Sequence, residues 1–178
     1  MSQSVHLTGV ERFFDKSEII VSKTNLTGHI TYANRTFLKI AGYEEKEIMG
    51  QPHSIIRHPD MPRCVFKYLW DTLEARKEIF AFVVNRAKCG DHYWVFAHVT
   101  PSYDETGKVT GYHSSRRVPD RKIVGETIIP LYKQLLEEED RHSNRKEGMN
   151  KALGMLVDLL QSKGITYDEL IFSLLAAA

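Results

Sequence analysis

Cysteine is scarce in this chain. Cys64 and Cys89 are the only two among 178 residues, and no CxxC is present, so there is no disulfide framework to organise the fold. A reduced, cytoplasmic compartment is the expectation. An excess of charge of one sign is missing too. The formal net charge is +1 and the basic residues are scattered among acidic ones, which removes the electrostatic case for nucleic acid. No apolar run approaches the ~20 residues a membrane-spanning helix needs. The opening residues, MSQSVHLTGVERFFDK, lack the charged-then-apolar plan of a secretory signal. The chain is therefore expected to be soluble, with any action at a membrane routed through a partner. Catalytic signatures are absent as well: there is no nucleophile elbow, no glycine-rich phosphate loop and no HExxH. His53 and His58 are five apart in an irregular stretch, and His92, His98 and His113 sit on strands without metal-ligand spacing. A binding module, not an enzyme, is what remains.

What is there centres on Gly50 to Leu73, GQPHSIIRHPDMPRCVFKYLWDTL. It opens as a polar loop broken by prolines and carrying His53, Arg57 and His58. Asp60 then offers an N-cap with Pro62 in the first turn, so a helix is predicted from Asp60 onward. Val65, Phe66, Leu69, Trp70 and Leu73 recur at helical spacing as its apolar stripe. Cationic side chains just ahead of a helix N-terminus make a plausible mouth for a pocket that takes a phosphate or carboxylate. An irregular connector whose histidines satisfy nearby backbone groups fits the same spacing.

Around this stretch, Val10, Phe13 and Phe14 at helical spacing within residues 5–16 predict a short helix or an N-terminal cap. Glu18–Lys23 and Ile30–Ala33 form a predicted hairpin, followed by short helices over Asn34–Ala41 (capped by Asn34) and Glu44–Met49. Three longer strands follow: Ile79–Arg86, His92–Pro101 and Lys108–Val118. Consecutive hairpins imply an antiparallel sheet with the helices on one face, an α+β architecture. Alternation puts Ile79, Ala81, Val83, Asn85, Tyr93, Val95, Ala97 and Val99 on a face suited to a cavity wall. The other face, with Phe80, Phe82, Trp94 and Phe96, is too aromatic for bare solvent. The N-terminal segment, the C-terminal helices or a partner must cover it. After Pro119 the pattern is helical, broken at Pro130, with helices ending near Gly164 and restarting at a Thr166–Glu169 capping box.

These residues carry a resemblance. The string Gly42-Tyr43, Gly50-Gln51-Pro52-His53, Arg57-His58-Pro59-Asp60-Met61-Pro62, Trp70, Asn85-Arg86 and Gly90-Asp91-His92-Tyr93-Trp94-Val95 closely resembles PAS domains of the aerotaxis-receptor (Aer) type. The similarity spans roughly Ser17 to Val118. The helical tail with Gly164-Ile165-Thr166-Tyr167-Asp168-Glu169 is similar to CetB-like stand-alone PAS proteins, which work with a CetA-type membrane chemoreceptor in energy taxis. The resemblance implies a PAS fold, with residues 1–17 as an N-terminal cap, 18–118 as the sensor domain and 119–178 as a helical extension. It also implies non-covalent FAD whose redox state is sensed, a cytoplasmic location beside the receptor, and a homodimer as an option. Carried over by position, Asn85 holds the polar edge of the flavin and Tyr93 lines the ring pocket. His53, Arg57 and His58 surround the dinucleotide and the mouth, while Asn34 and Trp70 complete the cofactor set. Phe80, Phe82, Trp94 and Phe96 form the partner interface. Ile79 departs from the pattern, which has tryptophan there, so one aromatic wall is missing. Ile55-Ile56 stands where light-sensing flavin domains carry their reactive cysteine, so no light-driven adduct is expected. Two alternatives stay open: a haem-binding gas sensor ligated by His53, His58 or His92, and a PAS module with no chromophore.

Overall fold

The computed structural model describes residues 6–177. Five strands form one antiparallel sheet: β1 (Ile20–Asn25), β2 (Ile30–Ala33), β3 (Ile79–Arg86), β4 (His92–Tyr103) and β5 (Val109–Arg117), in the order β2-β1-β5-β4-β3. Between β2 and β3 the chain crosses the inner face through α1 (Arg35–Ala41), α2 (Glu45–Ile48), a 3-10 turn over His53–Ile56, and α3 (Arg63–Glu74). Asn34 caps α1 by accepting the Phe37 N–H at 3.0 Å, and Gly42 ends it in the left-handed region at φ 72°. Val65, Leu69 and Leu73 are the buried stripe of α3, as the spacing predicts.

The start of α3 corrects the expectation. Asp60 is exposed and caps nothing; the helix begins at Arg63, with Pro62 at the cap position and no side-chain hydrogen bond of its own. A proline disfavours helical backbone in the residue before it, so Met61 is held out of the helix and the first turn is delayed. The missing cap comes from elsewhere in the chain. The Glu139 carboxylate, 1% exposed, accepts the Cys64 N–H at 2.8 Å and pairs with Arg63 Nε at 2.7 Å.

Of the two expectations for the N-terminal segment, the helix does not form: residues 6–10 and 12–15 are irregular and Glu11 makes one parallel bridge to His92. Its backbone bonds to the β3–β4 turn, with Arg12 N–H donating to His92 O at 2.7 Å and His92 N–H to Val10 O at 2.9 Å. Arg12 Nε reaches Asp91 at 2.8 Å. The apolar spacing that suggested a helix buries little, since Val10 and Phe13 stay exposed.

After β5, α4 (Arg121–Ile123) runs through a π-helical turn at Val124–Ile128 into α5 (Ile129–Asp140). Pro130 lacks an N–H and crowds the turn before it, which accounts for the widened turn where a kink is predicted. α6 (Arg145–Lys163) ends at Gly164 with φ 64°, and α7 (Tyr167–Ala176) starts on the reciprocal Thr166–Glu169 capping box. These helices fold back on the sheet: Leu135, Leu156 and Ile171 join the same buried cluster as Phe37, Leu73 and Val95. α5 and α6 touch backbone to backbone, because a Cβ on Gly148 would lie 2.2 Å from the Glu139 carbonyl oxygen. Among the described residues no helix is long and apolar enough to cross a membrane.

Candidate functional site

Between α3 and the inner face of the sheet lies a cavity of about 430 Å³. Its walls are mostly apolar: Ile56, Phe66, Leu69, Trp70 and Leu73 from the helix side, and Val83, Ala97, Val99 and Tyr112 from the sheet. Trp70 packs edge-on to Tyr112 with ring centroids 5.3 Å apart. Arg57, Arg63 and Lys67 add cationic groups around α3, and Met149 of α6 reaches the same cavity. The volume and the apolar walls with few polar groups match a site for a small organic ligand.

Four of the residues named from sequence line this cavity: His53, Arg57, Trp70 and Asn85. Arg57 stacks over Phe66 at 4.7 Å, and its backbone bridges to Asn85 at the outer edge of β3. Asn85 is 4% exposed, and its Nδ2 has no hydrogen-bond partner among the described residues. An unpaired buried amide is costly, so such a group in a cavity wall points to a ligand acceptor.

Arg116 is the residue sequence reasoning missed. It lines the cavity, is 2% exposed, and lies one residue before the end of β5, on the inner face with Ser114. Its side chain donates to Ser22 Oγ, to Ser114 Oγ at 3.0 Å and to His53 Nε2 at 3.0 Å, and it lies over the Phe37 ring at 5.3 Å. Nη1 has no partner. Burial pushes its pKa down to about 10, which leaves it charged at neutral pH. The signal was in the strand: in Tyr112-His113-Ser114-Ser115-Arg116-Arg117, alternation turns Arg116 inward and leaves Arg117 exposed.

His53, half-buried, has its pKa lowered to about 3, chiefly by burial and then by the Arg116 charge. Its Nε2 therefore accepts from Arg116 in the neutral ring. Below pH 6.5 the unfolded chain binds a proton at this histidine that the folded chain refuses, so stability falls as pH drops toward 3. His58, also lowered by burial, acts in the same direction. Between about pH 6.5 and 5, where carboxylates contribute little, His53→Asn is expected to flatten this slope in urea titrations. An unchanged slope would remove His53 as its source.

Three other named residues are elsewhere. Asn34 is consumed by structure: Oδ1 accepts the Val21 and Phe37 N–H groups and Nδ2 donates to Ile19 O at 2.8 Å. Tyr93 lies on the inner face but is fully buried away from the cavity lining, its hydroxyl unpartnered. His58 faces a neighbouring groove with Pro59, Met61, Leu136 and Glu139, and its ring lies 5.6 Å from His92. Asn34, Tyr93 and His58 therefore do not line this cavity, because local bonding and packing claim them first. The aromatic outer face needs a correction too. Phe82 is 0% and Trp94 7% exposed, since the chain's own helices cover them. Tyr132 of α5 donates to the Phe82 carbonyl at 2.5 Å and packs 6.1 Å from Trp94. Phe80 and Phe96 stay half-buried, with Phe172 of α7 lying 4.9 Å from Phe80.

Residues 30–116 match the family model described as the PAS fold. The structure superposes on the dark form of the blue-light photoreceptor Aureochrome1 LOV with a TM-score of 0.55 at 18% identity, covering 67% of this chain and 85% of that one. This is a PAS domain fold. A PAS domain from Colwellia psychrerythraea aligns with a TM-score of 0.52 at 20% identity, over 57% of this chain and 86% of its own. In sequence, the chain is 45% identical over 117 residues to the aerotaxis receptor of Escherichia coli K12, covering 65% of this chain. It is 26% identical over 103 residues to a nitrogen fixation regulatory protein of Klebsiella pneumoniae, covering 58% of this chain. The chain spans about a fifth of the length of these curated relatives, 22% and 21% respectively.

Proposed function

We propose that this PAS domain holds FAD in its cavity and senses redox state, passing the signal to a CetA-type membrane chemoreceptor in energy taxis. The observation that carries this reading is the wall of the cavity. Apolar surfaces from α3 and the sheet flank two unpaired N–H donors, Asn85 Nδ2 and Arg116 Nη1, as a flat ring with a hydrogen-bonding edge requires. The similarity to the aerotaxis receptor supports the same reading.

A bound flavin supplies reversible uptake of electrons and protons. The residues do the rest. Trp70, Leu69, Val83 and Val99 exclude water from the ring site, Asn85 and Arg116 orient the polar edge, and Arg57 with Arg63 provides positive charge for phosphates. Output runs through the helical extension, because Met149 touches the cavity while Glu139 grips the start of α3. A homodimer or a receptor then reads the position of these helices. Phe80 and Phe96 contribute at the margin that α7 leaves open.

The test is a visible spectrum of the protein purified without reconstitution. Two flavin bands and release of FAD on denaturation are the expected result; a Soret band or a colourless protein would replace this reading with haem or with a chromophore-free module. Blue light is expected to leave the flavin spectrum unchanged. Cys64 is buried on α3 outside the cavity lining, and burial beside Glu139 pushes its thiol up to about 12. Bleaching that recovers in the dark would contradict that assignment.

A further inference from the structure

We propose that Arg116, braced by Ser22, Ser114 and His53, is an anion-recognising subsite in the deep wall of the cavity, and that it holds the negatively charged edge of the reduced ring. The inference rests on the flavin reading above and names the charge state that the site selects.

A buried guanidinium normally has a carboxylate against it, since an isolated charge is expensive to desolvate. Arg116 forms no salt bridge among the described residues. Its three partners, Ser22, Ser114 and the ring nitrogen of His53, are all neutral acceptors. They fix the direction of the guanidinium and cancel none of its charge. Nη1 is left unpaired, in a side chain that lines the cavity. The site is therefore built, positively charged and incomplete without an anion.

Two parts of a flavin dinucleotide can carry that charge, the phosphates and the reduced ring. Arg57, Arg63 and Lys67 already gather on the α3 side, where phosphates can keep contact with water. Arg116 is at the opposite wall, 2% exposed, on the same sheet face as Asn85. A deep, dry position suits the ring. Uptake of two electrons and two protons leaves the ring neutral, whereas two electrons and one proton leave it with one negative charge. A fixed cation favours the second product by Coulomb attraction in a low-dielectric site.

The experiment is an anaerobic dithionite titration of the purified flavoprotein across pH. Wild type is expected to show a midpoint potential that changes by about 30 mV per pH unit at pH 6, the slope for one proton per two electrons. A slope near 60 mV means a neutral reduced ring and overturns the proposal. Arg116→Gln is expected to weaken binding of the reduced form at least tenfold relative to the oxidised form, a potential lower by about 30 mV. Arg116→Lys is expected to retain most of the wild-type value. The same shift is expected in protein loaded with riboflavin, which has no phosphate. A shift seen with FAD and not with riboflavin places Arg116 on the phosphates and overturns the ring assignment. If Arg116→Gln fails to fold, the wild-type slope decides alone. Failure of the flavin reading is separate: it appears as missing visible bands in wild type, and it removes this inference with it.

Discussion

Glu139→Ala is expected to lower the stability of the folded chain by about 3 kcal/mol, the range seen when one partner of a buried ion pair is removed. Glu139 is the cap that α3 lacks locally. Its two oxygens are divided between the Cys64 N–H at 2.8 Å and Arg63 Nε at 2.7 Å, in a pocket where the carboxylate is 1% exposed. Removing it strands an N-terminal N–H and leaves a mostly buried guanidinium without its counter-charge. Because the pair is shielded from solvent, its contribution should persist at high salt, unlike that of the exposed Lys67–Asp71 pair. Glu139→Gln keeps an acceptor for the helix and should recover part of the loss. Urea unfolding of the three proteins in low and high salt measures this; a loss below about 1 kcal/mol for the alanine variant would mean that α5 merely rests on α3. Arg63 also lines the cavity, so on the proposed flavin reading retained flavin should fall with stability in the same series.

Phe82→Ala is expected to cost about 3–5 kcal/mol and, on the proposed flavin reading, to release flavin as well. Phe82 is 0% exposed, packs 5.1 Å from Phe96, and its own carbonyl receives the Tyr132 hydroxyl. A partner-binding residue on an open face would instead lose partner affinity with cofactor content unchanged. Thermal melts and flavin content measured on the same preparation separate the two. Phe80→Ala, at a half-buried position covered by the exposed Phe172, should cost distinctly less. Equal losses at the two positions would contradict the burial difference.

Much of the fold is legible in local chemistry. Strand β3 occupies Ile79–Arg86 as its alternation predicts, and Gly42, Gly164 and the Thr166–Glu169 box end or begin helices where their backbone preferences require. What local chemistry misses is decided at long range. Asp60 is a good cap by type, but Pro62 bars the preceding turn, and the working cap is supplied from 75 residues away. The N-terminal segment has helical spacing, yet its backbone finds partners at Gly90 and His92 first. The cavity follows the same division. Asn85 and Trp70 are visible from strand alternation and helix spacing, because each belongs to one element. Arg116 is turned inward by the alternation of β5, but its partners Ser22 and His53 come from other elements, and Met149 becomes a wall residue only when α6 packs beside α3; Asn34 and Tyr93 are diverted by bonding and packing that no spacing reveals.

Gly148 has no room for even a methyl group, since its own α-carbon already abuts the main chain at Glu139. Any side chain at that position would push α5 and α6 apart, and with them the two residues this hairpin sets against α3 and the cavity, Glu139 and Met149.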